Sequence, residues 1–182
     1  CWDGASFRSW GPEDGAPHVP VTRLIEDKGS IWLGTDGAGI SRWDGERFES
    51  FTTDEGLPGN RVFALLVDRH GDLWVGTHGG GGLARYDGHS FLRYTTADGL
   101  PDNNIMDLVE DGRGDLWVAT FAGGLARYDG QRFHRVDDAH DPGHRRTRAL
   151  APTPSGRLWI GTAGGGVSQY DGEVFQSLLR RD

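Results

Sequence analysis

The residues of this chain that could bind a ligand sit in turns beside a repeated sequence frame. They are polar, basic or aromatic, and they differ from one repeat to the next where the frame itself stays the same. The predicted set is Asn60, His78, Asn103, Phe121, His144, Arg145 and Arg146. Together they could supply hydrogen bonds, a flat stacking surface and positive charge, which suits a sugar acid or another carboxylated ligand. A solvated loop residue is the simpler interpretation of any single member, so the cluster as a whole is the prediction.

Catalytic and metal-binding patterns are poor in comparison. The seven histidines have no carboxylate at a repeated offset, and His140, Asp141 and His144 do not complete the ligand spacing of a zinc site. Arg113-Gly114-Asp115 spells an adhesion tripeptide, but Asp72 holds the same place in another repeat, so a turn role is sufficient. The sequence therefore predicts no catalytic residue, no metal and no cofactor.

The frame beside these residues is a tryptophan-centred strand that occurs four times. Trp32, Trp74, Trp117 and Trp159 lie within copies of Leu-Trp-Val-Gly-Thr, separated by 42, 43 and 42 residues. A regular period of this length indicates a repeat architecture in which each unit buries its apolar face against the next. The tryptophans are expected to pack between neighbouring units.

The second unit shows the internal plan most clearly. The apolar run at 62–68 predicts an inner strand, the tight turn at 69–72 leads into a second strand at 73–77, and the segments 83–86 and 91–95 predict a third and a fourth. Asp87-Gly88 is a hairpin signal between the last two. Four short antiparallel strands per unit of this length are typical of a β-propeller blade, so the fold class is all-β, with four blades of four strands visible.

The boundaries of the units follow from the same alignment. Residues 1–10 match the end of a preceding blade, and blades 1 to 4 span 11–52, 53–96, 97–138 and 139–182. One outer strand is therefore surplus, which predicts a segment of a larger propeller; a closed ring of four blades with one strand displaced is the alternative. Pro152 in the inner strand of the fourth copy predicts a bulge or a broken ladder there.

The repeated residues resemble the two-component regulator propeller repeat. The resemblance rests on Asn60, Val62, Leu65, Asp68 and the frame at 71–77, followed by Gly82-Leu83, Tyr86-Asp87, Phe91 and Tyr94. It implies a propeller of about seven blades, an extracytoplasmic sensor module of bacterial hybrid histidine kinases, and ligands that are breakdown products of polysaccharides. It also implies a periplasmic or extracellular location and no catalysis.

Charge and composition restrict the partners further. The net charge of -8 disfavours nucleic acid, and no apolar run is long enough for a membrane segment. The expected partner is a small polar ligand or an oligosaccharide, together with further blades of the same protein or a second copy. Two alternatives stay open: a metal-dependent enzyme similar to the propeller of virginiamycin B lyase, for which no His and Glu pair can be placed on the face loops, and a scaffold that binds another protein.

Overall fold

The computed structural model describes residues 4, 6–136 and 146–178. These residues form four separate four-stranded antiparallel sheets, each an up-and-down meander in sequence order, with three short 3-10 turns at Pro12–Asp14, Thr53–Glu55 and Thr96–Asp98. The predicted all-β propeller fold with four blades of four strands is confirmed. No helix among the described residues is long and apolar enough to cross a membrane.

The strands of the first two blades are β1 (Val21–Asp27), β2 (Ser30–Thr35), β3 (Ile40–Trp43) and β4 (Phe48–Phe51), then β5 (Val62–Val67), β6 (Leu73–Thr77), β7 (Leu83–Tyr86) and β8 (Phe91–Tyr94). Those of the last two are β9 (Ile105–Glu110), β10 (Leu116–Thr120), β11 (Leu125–Tyr128) and β12 (Phe133–Val136), then β13 (Thr147–Pro152), β14 (Leu158–Thr162), β15 (Val167–Tyr170) and β16 (Phe175–Leu178). The first strand of each blade is the innermost. It packs beside the first strand of the next blade along the arc.

An aspartate in the first hairpin of a blade connects the turn to the blade's tryptophan. In blade 2, Oδ1 of Asp68 accepts bonds from the backbone N–H groups of His70 and Asp72, and Oδ2 accepts a 2.8 Å bond from Nε1 of Trp74. Burial alone would raise the pKa of Asp68, but these bonds lower it overall. Asp111 makes the same bond to Trp117 in blade 3, so the hairpin fixes the ring that packs between blades.

Apolar side chains from adjacent blades form the core. Leu65 of blade 2 belongs to a buried cluster with Trp32 and Ile40 of blade 1, and Leu108 of blade 3 belongs to one with Trp74 of blade 2. Burial of a leucine of this kind contributes roughly 2 kcal/mol. The core is therefore a series of junctions between neighbouring sheets.

The two ends of the arc are uncovered. Leu24 of blade 1 is 61% exposed, whereas its counterpart Leu65 is 6% exposed. Val167 of blade 4 is 44% exposed, and the equivalent Leu83 is fully buried. The described strands of blade 4 thus do not cover the face of blade 1, and the alternative of a closed four-blade ring is not what the structure adopts.

The described part of the segment before blade 1 occupies the place of an outer strand. The ring of Trp10 lies 5.2 Å from that of Trp43, as the ring of Phe51 lies 5.5 Å from that of Tyr86 one blade later. The assignment of residues 1–10 to a preceding blade stays a prediction.

Candidate functional site

Two kinds of loop open on one face of the arc, which we call the loop face. They are the turn that enters each inner strand and the turn between the second and third strands. Backbone bonds join them directly: His78 N–H donates to Arg61 O at 2.8 Å, and Phe121 N–H donates to Asn104 O at 2.9 Å. The residue that follows each frame threonine is therefore held beside the residue that precedes each inner strand.

A β-bulge in every inner strand adds a third variable position to this face. The pairing register skips one residue near the start of β1, β5, β9 and β13, and the skipped residues are Thr22, Phe63, Met106 and Arg148. A bulge bends the strand and re-aims the side chain of the extra residue. The irregularity predicted at Pro152 was wrong in its position, because Pro152 pairs with Leu158 while the bulge falls at Arg148.

Three aromatic rings form a row across blades 2 and 3. The ring of His78 lies 5.2 Å from that of Phe63 and 5.5 Å from that of Phe121, the latter edge to face. A guanidinium group covers each end: Cζ of Arg61 lies 5.8 Å from the Phe63 ring, and Cζ of Arg148 lies 4.7 Å from the Phe121 ring. We call these five residues the ring row.

The neutral form of the histidine at the centre of the ring row is favoured. Burial is the main cause that lowers the pKa of His78, and the positive charges of Arg61 and Arg148 lower it further. Its Nδ1 is buried and has no hydrogen-bond partner within the described part of the chain. One ring nitrogen of the ring row is therefore unpaired among the described residues, in the interior of the protein, and is not accessible from the surface.

The two arginines differ in how firmly they are paired. Nε of Arg61 lies 2.7 Å from Oδ1 of Asp36, and this bond lowers the pKa of the Asp36 carboxyl. Arg148 is exposed, and the sulfur of Met106 lies 3.8 Å from its Nη1. The face thus combines two guanidinium groups with the carboxylates of Asp36 and Asp102, the second of which accepts a 2.9 Å bond from Ala122 N–H.

The sequence-predicted residues fall into three groups in the structure. His78 and Phe121 are in contact, as members of one cluster should be. Asn60 and Asn103 turn inward, since their side-chain oxygens accept bonds from Thr53 N–H and Thr96 N–H within their own loops. Arg146 is exposed and its carbonyl accepts from Ala163 N–H, while His144 and Arg145 lie outside the described residues.

Sequence reasoning missed Arg61, Phe63 and Arg148. Phe63 stands in an apolar run that predicts core, and it is half-buried against the cluster that contains Met106 and Trp117; at the bulge its ring also contacts His78. Aligning the residue just before each inner strand (Pro20, Arg61, Asn104 and Arg146) would have shown the variability. That alignment was the available signal.

A second polar link joins the inner strands next to the bulges. Nη2 of Arg23 in blade 1 lies 3.8 Å from Oδ1 of Asp107 in blade 3, and Oδ2 of Asp107 accepts a 2.8 Å bond from Leu150 N–H in blade 4. Burial raises the pKa of Asp107 in spite of these partners. The carboxylate satisfies an edge N–H that an innermost strand would otherwise leave open.

Metal-ligating side chains do not gather on this face. No group of three or more His, Cys, Asp or Glu side chains in the described ranges could hold a metal ion. Among the described residues, the rings that contact His78 are those of Phe63 and Phe121.

Comparison with known proteins agrees with this fold. The model of the two-component regulator propeller matches residues 56–79 and 99–122. No curated protein sequence shows a significant match to the chain.

Similar solved structures include the extracellular domain assigned to a hybrid two component system of B. thetaiotaomicron, with a TM-score of 0.76 and 24% identity over 86% of this chain and 22% of that one. Virginiamycin B lyase from Staphylococcus aureus has a TM-score of 0.69 and 16% identity over 84% of this chain and 53% of the lyase. PorZ of Porphyromonas gingivalis, a surface component of the type-IX secretion system, has a TM-score of 0.63 and 20% identity over 82% and 25%.

The chain spans 22% of the first of these structures and about half of the lyase. Identities at this level establish a shared fold. Together with the four antiparallel sheets, they identify the chain as an arc of a β-propeller, two segments of which, 56–79 and 99–122, match the two-component regulator propeller repeat.

Proposed function

We propose that this chain is the ligand-recognition segment of an extracytoplasmic bacterial sensor, and that the ring row binds a small polar ligand, a carbohydrate or its acid, without catalysis. The observation that carries the proposal is the divergence of three structurally matched positions per blade on a frame that otherwise repeats. Positions that serve only the fold would be expected to repeat with the frame. Binding residues on loops above a rigid scaffold need not.

The chemistry of the ring row favours a ligand with a carboxylate. Arg61 and Arg148 flank a row of rings whose middle member is neutral, so a carboxylate could accept charge-assisted bonds from either guanidinium group. The faces and edges of Phe63 and Phe121 would pack against the apolar side of a sugar ring.

Two features of similar proteins support the sensor role. The repeats match the two-component regulator propeller, and similar structures are extracellular domains of two component systems. The lyase alternative rests on a likeness of fold alone, and a scaffold role differs from sensing only in the size of the partner.

Isothermal titration with acidic and neutral oligosaccharides tests the proposal. We expect an acidic oligosaccharide to bind, and Arg148→Ala to weaken that binding by about tenfold, as expected for one charge-assisted bond. Arg47→Ala is the matched control, because Arg47 lies 84% exposed on the opposite face. A well-folded protein that binds no member of the panel would contradict the proposal, and substrate turnover that a chelator abolishes would favour the lyase.

A further inference from the structure

Each junction between neighbouring blades has a cleft on the face opposite the loop face, and the cleft between blades 3 and 4 differs from the other two. The clefts between blades 1 and 2 and between blades 2 and 3 have volumes of 270 and 230 Å³. The cleft between blades 3 and 4 has a volume of 360 Å³. We call it the third cleft.

A missing aromatic ring accounts for part of this space. The outer strands of blades 1 and 2 end in Phe51 and Tyr94, whose rings lie 5.8 Å from Trp32 and 5.6 Å from Trp74, the latter stacked. Blade 3 has Val136 at this position, paired with Leu125 as Tyr94 is with Leu83. Val136 and Trp117 both line the third cleft, whereas Tyr94 does not line the cleft between blades 2 and 3.

A missing connection between hairpins opens the same cleft. In blade 2, Nε of Arg69 lies 2.7 Å from Oε1 of Glu110 in blade 3, and its Nη2 donates to Asp111 O at 2.9 Å. The equivalent positions one junction later are Gly112 and Pro152. Neither can form the ion pair, so no strap of this kind crosses the third cleft.

The charge of the third cleft is also reversed at one position. Asp72 and Asp115 precede the tryptophan strands of blades 2 and 3, and Asp72 pairs with Arg85 while Asp115 pairs with Arg127 at 3.3 Å. Blade 4 has Arg157 there, and its Nη1 donates to Oε1 of Gln169 at 3.1 Å. Four arginines line the cleft: Arg113, Arg127, Arg135 and Arg157.

The acidic residues of the cleft are largely occupied. Asp111 accepts from Trp117 Nε1 and from its own turn, and Asp171 accepts from the backbone N–H groups of Glu173 and Val174. Over the described ranges, Arg113 and Arg157 form no ion pair with a carboxylate. Arg157 is near Asp171, whose pKa is lowered mainly by its backbone bonds and further by the charge of Arg157. A chain with a net charge of -8 thus presents, next to a tryptophan, a cleft in which two guanidinium groups form no ion pair within the described residues.

We propose that the third cleft is a second ligand site, which binds a small ring compound bearing a carboxylate. Its ring occupies the place that Tyr94 takes beside Trp74 and packs on Trp117, and its carboxylate accepts bonds from Arg157 and Arg113. A sugar acid and an aromatic acid share this chemistry. The site lies on the face opposite the ring row and does not depend on the function proposed for it.

The test uses glucuronate and benzoate as probes, with glucose and benzyl alcohol as their neutral counterparts. Binding is followed by NMR through the indole N–H signal of Trp117, assigned with Trp117→Phe. We expect at least one of the acids to shift this signal saturably and its neutral counterpart not to do so. The acid that binds identifies the ligand class.

Two variants restore the residues that the repeat has elsewhere. Val136→Tyr fills the third cleft as Tyr94 fills its junction and should abolish the shift, and Arg157→Asp restores the acid of blades 2 and 3 and should weaken binding by about tenfold or more. Arg47→Ala, in the exposed outer hairpin of blade 1, should leave it unchanged.

The proposal is overturned if neither acid shifts the Trp117 signal in the folded protein. It is overturned equally if a folded Val136→Tyr variant binds as tightly as the wild type; should that variant not fold, unchanged affinity of Arg157→Asp decides against it.

Discussion

The close approach of neighbouring blades predicts opposite effects for one substitution at two equivalent positions. Gly76 is the fourth residue of the frame in blade 2, and a Cβ placed on it would lie 2.6 Å from Cγ2 of Ile105 and 2.9 Å from Cβ of Ala64. Gly161 holds the same position in blade 4, where the nearest atom, Cβ of Ala149, would lie at 3.5 Å. Neither glycine has a positive φ, so alanine fits the backbone at both.

The magnitudes follow from two opposed terms. Overpacking of a tight junction costs about 1–3 kcal/mol. Replacing glycine by alanine where the backbone permits it stabilises by about 0.4–1 kcal/mol, because the unfolded chain loses freedom. We therefore expect Gly76→Ala to lower the free energy of unfolding by about 1–2 kcal/mol and Gly161→Ala to raise it slightly.

The difference between the two variants corresponds to about 4–8 °C in melting temperature for a chain of this size. Urea denaturation of dilute monomeric protein, followed by circular dichroism, measures the difference in the free energy of unfolding. Thermal denaturation of the same samples measures the difference in melting temperature. Blade 3 shows how the clash is avoided in nature: Ala119 takes the frame position where the next inner strand begins with the smaller Thr147. Ile105→Thr should therefore reduce the cost of Gly76→Ala.

Equal stability of Gly76→Ala and Gly161→Ala would refute the idea that the frame glycine is selected by the next blade. So would a cost of Gly76→Ala that stays the same in the Ile105→Thr background. A double-mutant cycle gives the coupling energy directly.

Three further predictions concern other parts of the arc. Asp107→Asn should stabilise the protein at pH 7, because burial raises the pKa of Asp107 and makes its charged form unfavourable in the folded state. This advantage should shrink as the pH falls through the raised pKa and vanish below the unfolded value of about 3.9. A stability difference that stays the same in urea titrations from pH 7 to 3.5 would contradict this expectation. Tyr94→Val should open a cleft beside Trp74 and lower the free energy of unfolding by about 1–3 kcal/mol, whereas a change below 0.5 kcal/mol, about the size of a surface effect, would speak against the ring-filling role. Leu24→Asn should reduce concentration-dependent association in light scattering, because Leu24 is exposed on a face that is buried at the other junctions; a wild type that is monomeric at all concentrations would make this expectation wrong.

Much of the fold could be predicted because the same strand and turn patterns occur four times in the sequence. The period of Trp32, Trp74, Trp117 and Trp159 set the number of blades, and the apolar runs and Asp-Gly turns set four strands in each. These features depend on local chemistry, such as turn geometry and the alternation of apolar residues, which a linear pattern preserves.

The candidate site could be predicted only in part. His78 and Phe121 were placed on the loop face because each follows a frame threonine, and they do meet there. Asn60 and Asn103 were placed on the same face, but their side-chain oxygens accept bonds from backbone N–H groups of their own turns. These oxygens are therefore already used within the protein. The positions of Phe63 and Arg148 on the loop face could not be predicted. Each lies at a bulge, which depends on the pairing of two strands and is not visible in the sequence of either strand alone.

By itself, then, the sequence determined the propeller repeat, its four visible units and the face on which variable residues gather. The tertiary structure decided which variable residues touch, because the ring row joins residues from blades 2, 3 and 4 that lie up to 87 positions apart, Arg61 to Arg148. It also decided where space is left, since the third cleft arises from Val136, Gly112 and Pro152 meeting at one junction. Such sites depend on packing between units, and packing is a property of pairs of residues that repeat alignment alone does not bring together.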